Sequence, residues 1–184
     1  MSHRLVVLQG PSAAGKSTLQ AKLGLPRIVT WTSRPPREGE THGREYYFGS
    51  AEQLKAMYAS GELLETTEYQ GNMYGTSMAS VAAAIQDVTP HSVVLDASGA
   101  RKVKERYKDQ VLLVGVYADK EQCARRLAER GLPQLEQERR LAGYDEEIQL
   151  LFGCDLIIPN RDQQLMQAVS FIESIGVSLT EPWD

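Results

Sequence analysis

Short apolar runs that alternate with helical periodicity, the first of them followed by the phosphate-loop pattern GPSAAGKST, predict an α/β protein with a P-loop NTPase fold: a mainly parallel sheet flanked by helices. The runs are residues 5–8, 28–31, 93–95, 111–117 and 156–158. They are rich in β-branched residues and lack polar alternation, as strands covered on both faces do. Helical patterns at 18–23, 100–107, 120–130, 137–151 and 163–175 fall between and after them, and such strand–helix alternation builds parallel sheets. A glycine-rich loop placed directly after the first run completes the pattern.

That loop reads GPSAAGKST, from Gly10 through Pro11, Ser12, Ala13, Ala14, Gly15, Lys16 and Ser17 to Thr18. Its spacing fits G-x-x-x-x-G-K-[ST], for which a chance match in a chain of this length is on the order of 1%. Glycines let successive backbone N–H groups turn inward around an anion, and the helix that starts near Lys16 aims its positive end at the same point. Lys16 then reaches the β- and γ-phosphates of a nucleoside triphosphate, and the Ser17 hydroxyl holds Mg²⁺. A surface turn with no ligand would not need the strand before it and the helix after it.

The alternation breaks between residues 33 and 80. Pro35, Pro36, six glycines and the short aromatic strands 46–48 and 63–69, with a helix at 51–60 between them, read as a small lobe inserted into the sheet domain. The core is then residues 1–32 and 81–184. Arg34, Arg37 and Tyr46 lie around the proline-stiffened turn, and two guanidinium forks with a phenol suit a second phosphate dianion. Beside Glu38, Glu40 and Glu45 the same arginines could equally be solvated surface charge. Glu65 follows on a strand, then Tyr74 after a Gly-Asn turn, then Thr76. A Gly-Pro break at residues 131–134 separates two arginine-bearing helices, so residues 126–140 read as a lid. Arg125 and Arg139 read as solvated helix faces, interleaved with Glu129, Glu136 and Glu138.

Composition narrows the function. With 184 residues the chain is one domain with a real core. A net charge of −4 argues against a general nucleic-acid binder. Cys123 and Cys154 fit no metal spacing and are too few for a disulfide framework, which predicts a reduced, cytoplasmic setting with both thiols packed rather than reactive. The first apolar run leads straight into the phosphate loop and is no signal peptide, and no apolar stretch reaches the ~18 residues needed to span a bilayer. His3, His42 and His91 read as surface residues. Oligomeric state, monomer or homodimer, is left open.

The phosphate loop, R-P-P-R-E-G-E from Arg34 to Glu40 with Gly43, Tyr46 and Phe48 beyond it, and G-N-M-Y-G from Gly71 to Gly75 together resemble guanylate kinase. The likeness runs through nearly the whole chain. It implies transfer of the ATP γ-phosphoryl group to GMP with Mg²⁺ as cofactor and ATP and GMP as small-molecule partners. It implies that Arg34, Arg37, Tyr46 and Tyr74 bind the GMP phosphate and that Glu65 reads the guanine edge, with Thr30 and Thr76 as hydroxyl partners. It further implies Asp96 near the metal, Arg126, Arg130 and Arg140 as catalytic lid arginines beside Lys16, and Asn160 at the adenine side. The sequence departs from the family at Ser98, which stands where a second base-reading acid is usual, in a segment about two residues short; the linker after Gly131 is also short. Ser98 is therefore expected to weaken GMP binding and to narrow the preference for GMP over IMP.

The chemistry is consistent with that likeness on its own terms. Guanine offers N1–H and a 2-amino group side by side, which a carboxylate accepts bidentately; adenine leaves a buried Glu65 without partners. Phosphoryl transfer to a phosphate oxygen needs positioning and charge neutralisation rather than a general base. The competing readings are a P-loop kinase acting on another nucleotide or sugar phosphate, and a non-catalytic guanylate-kinase-like interaction module. The intact Lys16 and Ser17 disfavour the module, and the lack of an N-K-x-D motif disfavours a GTP switch.

Overall fold

The computed structural model describes residues 3–69, 71–162 and 165–180. In chain order these form β1 (Leu5–Gln9), α1 (Lys16–Lys22), β2 (Trp31–Thr32), β3 (Tyr47–Phe48), α2 (Ala51–Ala59), β4 (Leu63–Tyr69), β5 (Asn72–Ser77), α3 (Met78–Gln86), β6 (His91–Val94), α4 (Ala97–Tyr107), β7 (Val111–Tyr117), α5 (Lys120–Glu129), α6 (Gln134–Leu141), α7 (Tyr144–Leu150), β8 (Leu156–Pro159) and α8 (Leu165–Thr180). Among them, no helix is long and apolar enough to cross a membrane.

The first sheet has the order β6-β1-β7-β8 and is parallel throughout. Its central strand explains the unbroken apolar run: Leu5, Val6, Val7 and Leu8 are all fully buried. Val6 and Leu8 share one core with Leu19, Leu127 and Ile172, while Leu5 and Val7 share another with Val81, Ile85 and Val103. Alternate residues thus serve opposite faces, α1, α5 and α8 covering one and α3 and α4 the other. Each such side chain contributes about 1.5–3 kcal/mol. Cys123 belongs to the first core and Cys154 is half-buried, both as free thiols.

The second sheet has the order β3-β2-β5-β4, with β2 parallel to β3 and β5 antiparallel to both of its neighbours. The run at 28–31 does not form one strand. Ile28 N–H donates to Ser92 O at 2.9 Å beside the first sheet, whereas Trp31 and Thr32 pair in the second. The helical pattern at 137–151 is likewise two helices: α6 ends at Leu141, and Gly143 caps α7, whose first turn carries Asp145, Glu146 and Glu147. Acids there suit the positive end of a helix. The pattern at 163–175 corresponds to α8; residues 163 and 164 lie outside the described residues. Helix α3, unread in the sequence, starts at a Ser77 cap whose Oγ accepts from Ser80 N–H at 2.9 Å.

Candidate active site

The carboxyl end of β1 runs into the loop at residues 10–15, and α1 begins at Lys16. Gly15 has φ 97°, and a Cβ there would lie 2.1 Å from Asn160 Nδ2. Only glycine fits, because Asn160 must come that close: its Nδ2 donates to Ala14 O at 2.7 Å. Arg126 works on the same side. Its Nη1 donates to the carbonyls of Ala13 and Ala14 at 3.2 and 3.3 Å, and its Nη2 to Asn160 O at 2.9 Å and Asp162 Oδ1 at 2.7 Å. Arg126 and Asn160 thus brace the loop through its carbonyls. Replacing Gly15 with alanine is expected to cost about 1–3 kcal/mol of stability through backbone strain and overpacking and to raise the KM for ATP. Thermal melts and ATP titrations would measure both effects.

Lys16 is half-exposed, and its Nζ donates to Gly10 O at 2.6 Å and Pro11 O at 2.9 Å. Burial lowers its pKa, with Glu147 opposing that shift. Ser12, Lys16, Ser17, Thr30, Tyr46, Glu65, Tyr74, Thr76 and Asp96 share one cavity of about 500 Å³ that opens between the two sheets. From α6 Arg140 reaches the same cavity, its Nε paired with Glu136 Oε1 at 2.8 Å and its Nη1 3.4 Å from Ser12 Oγ. Arg139, which the sequence suggests is a solvated face, also lines it.

Beside the second sheet Arg34 pairs with Glu40 at 2.9 Å and lies over the Tyr46 ring at 5.6 Å. It also shares a side-chain hydrogen bond with Tyr74, whose ring centroid is 6.0 Å from that of Tyr46. These three side chains form one cationic, phenolic corner. Arg37 stands exposed beyond it and binds Glu40 through its backbone N–H at 2.7 Å.

Glu65 is 8% exposed. It faces Thr76 across the β4–β5 ladder, and Thr76 Oγ1 donates to Glu65 Oε1 at 2.8 Å. Burial pushes the Glu65 carboxyl above the usual range, Asp96 adds to the shift, and the Thr76 and Thr67 hydroxyls oppose it. Gly99 lets α4 approach, since a Cβ there would meet Glu65 Cγ at 2.7 Å. Asp96 caps α4, its Oδ1 accepting from Gly99 N–H at 2.7 Å. Ser98 lies elsewhere, in a second cleft with Arg101, Lys104 and Leu150.

Among the described residues no three His, Cys, Asp or Glu side chains gather as a metal cage. Ser17 and Asp96 instead offer two hard oxygen donors on one cavity. That set fits Mg²⁺, which keeps several waters and takes its other ligands from substrate phosphates.

The family model for guanylate kinase matches residues 2–175. The chain belongs to the guanylate kinase family. Within it, a guanylate kinase from Symbiobacterium thermophilum is 39% identical over 180 residues, covering 93% of this chain and 83% of its own. One from Enterococcus faecalis is 33% identical over 187 residues, covering 97% and 91% respectively. The crystal structure of guanylate kinase from Anaplasma phagocytophilum shares the fold, with a TM-score of 0.69 at 24% identity over 98% of this chain and 88% of that one. The enzyme is therefore a nucleoside monophosphate kinase by family. Thr67, Glu136 and Glu147 also line the cavity, and sequence reasoning gave none of them a site role. For Thr67 there was a signal, since it lies two residues from Glu65 on the same strand and so on the same face. Glu147 carried none, as the N–H of Ser12 that meets its carboxylate comes from a distant loop.

Proposed function

We propose that this member of the guanylate kinase family transfers the γ-phosphoryl group of ATP to GMP, giving ADP and GDP. The observation that carries the reading is one cavity with a braced phosphate loop and Lys16 at one end and a buried carboxylate flanked by hydroxyls at the other. The triphosphate lies in the loop at residues 10–18, with Asn160 and Arg126 holding that loop in shape. Arg34, Tyr46 and Tyr74 hold the GMP phosphate, with Arg37 swinging in from the rim, and Thr30 and Thr76 supply hydroxyls on the lobe side.

Glu65, ionised when GMP is bound, accepts from guanine N1–H and the 2-amino group. Lys16, Arg140 and Arg130 neutralise charge on the phosphoryl group in flight. Mg²⁺ held by Ser17, with Asp96 fixing its waters, would draw charge from the β- and γ-oxygens. The acceptor is already an anionic oxygen, so no side chain need remove a proton.

An ADP-release assay with ATP against GMP, IMP, AMP and the pyrimidine monophosphates tests the reading. GMP should be used best. AMP used as well as GMP would overturn the assignment. The two sheets must also approach each other to exclude water and bring the lid arginines to the phosphates. Small-angle scattering with a bisubstrate analogue should therefore show a smaller radius of gyration than the free enzyme, and an unchanged radius at saturation would count against closure.

A further inference from the structure

Thr67 Oγ1 lies 3.2 Å from Glu65 Oε2 and 3.2 Å from Asp96 Oδ2. A hydroxyl has one proton and two lone pairs, so it can donate to only one of these carboxylates. The other contact then sets acceptor against acceptor. The remaining oxygens are already served, Glu65 Oε1 by Thr76 and Asp96 Oδ1 by the Gly99 N–H. With both carboxylates ionised, the arrangement is therefore one donor short, and the shortfall opens on the cavity that Thr67, Glu65 and Asp96 all line.

We infer that Thr67 is a specificity-determining residue that reads the second hydrogen of the guanine 2-amino group. Thr67 gives its proton to Asp96 and turns its lone pairs toward the base. One amino hydrogen goes to Glu65 Oε2, and the other goes to Thr67 Oγ1, made a better acceptor by the carboxylate behind it. Each group then has a partner. IMP, which has no 2-amino group, leaves the arrangement one donor short. Asp96 thus acts on the base through Thr67, and Ser98, turned into its separate cleft, takes no part. This reverses the expectation that the site lacks a second acceptor for the amino group.

The inference rests on the GMP reading above, and one experiment separates the two. Thr67 is exposed to the cavity, so its replacement by the isosteric valine leaves the β4–β5 pairing in place. With ATP saturating, kcat/KM for GMP and for IMP would be measured in the native enzyme, Thr67→Val and Thr67→Ser. The GMP-to-IMP ratio should fall about ten-fold in Thr67→Val, the loss expected for one hydrogen bond to a polarised hydroxyl. The change should appear in KM for GMP rather than in kcat, and Thr67→Ser should restore the ratio. A ratio that does not move in Thr67→Val, whether both substrates weaken together or neither does, overturns the role of Thr67 and leaves the GMP reading standing. A native enzyme that phosphorylates neither substrate overturns both.

Discussion

Replacing Lys16 with alanine is expected to lower kcat about a thousand-fold, the scale on which loss of a preorganised charge at a transition state is felt. The ammonium is held at the mouth of the loop by the carbonyls of Gly10 and Pro11. Those two contacts also keep it half out of solvent, where its charge acts more strongly than it would in water. On the proposed mechanism a γ-phosphate entering the cavity takes over the ammonium, and the charge then serves the phosphoryl group in flight. KM for GMP should change little, because Arg34, Tyr46 and Tyr74 lie on or beside the second sheet, away from the loop that holds Lys16. The melting temperature should fall by only a few degrees, since the two carbonyls can turn to water. Turnover within ten-fold of native would remove Lys16 from the chemistry.

Glu65→Gln should lower kcat/KM for GMP by about a hundred-fold. The amide replaces one acceptor oxygen with an NH₂ group, which then faces a donor whichever way it turns: Thr76 and guanine N1–H on one side, the guanine 2-amino group on the other. One mismatched pair costs about 1–3 kcal/mol, and guanine presents two donors to this edge. AMP should lose nothing, so the preference for GMP over AMP collapses. If that preference survives, Glu65 is not the reader.

Stability separates this loss from misfolding, and its sign follows from the raised pKa of Glu65. A carboxyl whose pKa is higher in the folded than in the unfolded chain favours folding while it is protonated, and that contribution fades as pH rises through the folded value. Asp96 adds to the effect of burial, and the Thr76 and Thr67 hydroxyls and Lys102 do not cancel it. Glu65→Gln, with no proton to lose, should therefore be no less stable than the native protein at neutral pH and should lack this pH dependence. Melting curves at several pH values would show it.

Much of the molecule was legible along the chain because the deciding interactions are local. The phosphate loop needs consecutive residues, so GPSAAGKST could be read as it stands. Parallel strands buried on both faces are apolar throughout, so residues 5–8 and 111–117 marked their own place in the first sheet. Glu65 and Thr76 could be singled out by type and order, though not their 2.8 Å contact. What the chain could not show is which way a side chain faces once distant segments pack. The run at 28–31 serves two sheets because Ser92 and Tyr47 compete for its ends. Gly143 divides a continuous helical pattern at a cost that no periodicity records. Arg126, expected by sequence as a lid arginine, braces the loop at residues 10–15, because Ala13, Ala14, Asn160 and Asp162 converge on its guanidinium. Ser98 and Thr67 make the point at the base. In sequence Ser98 takes the place of a family acid, yet the turn of α4 after Asp96 carries it into another cleft. Thr67, in no motif, ends between two carboxylates because strand pleating places it on the face of Glu65 and helix packing brings Asp96 to meet it.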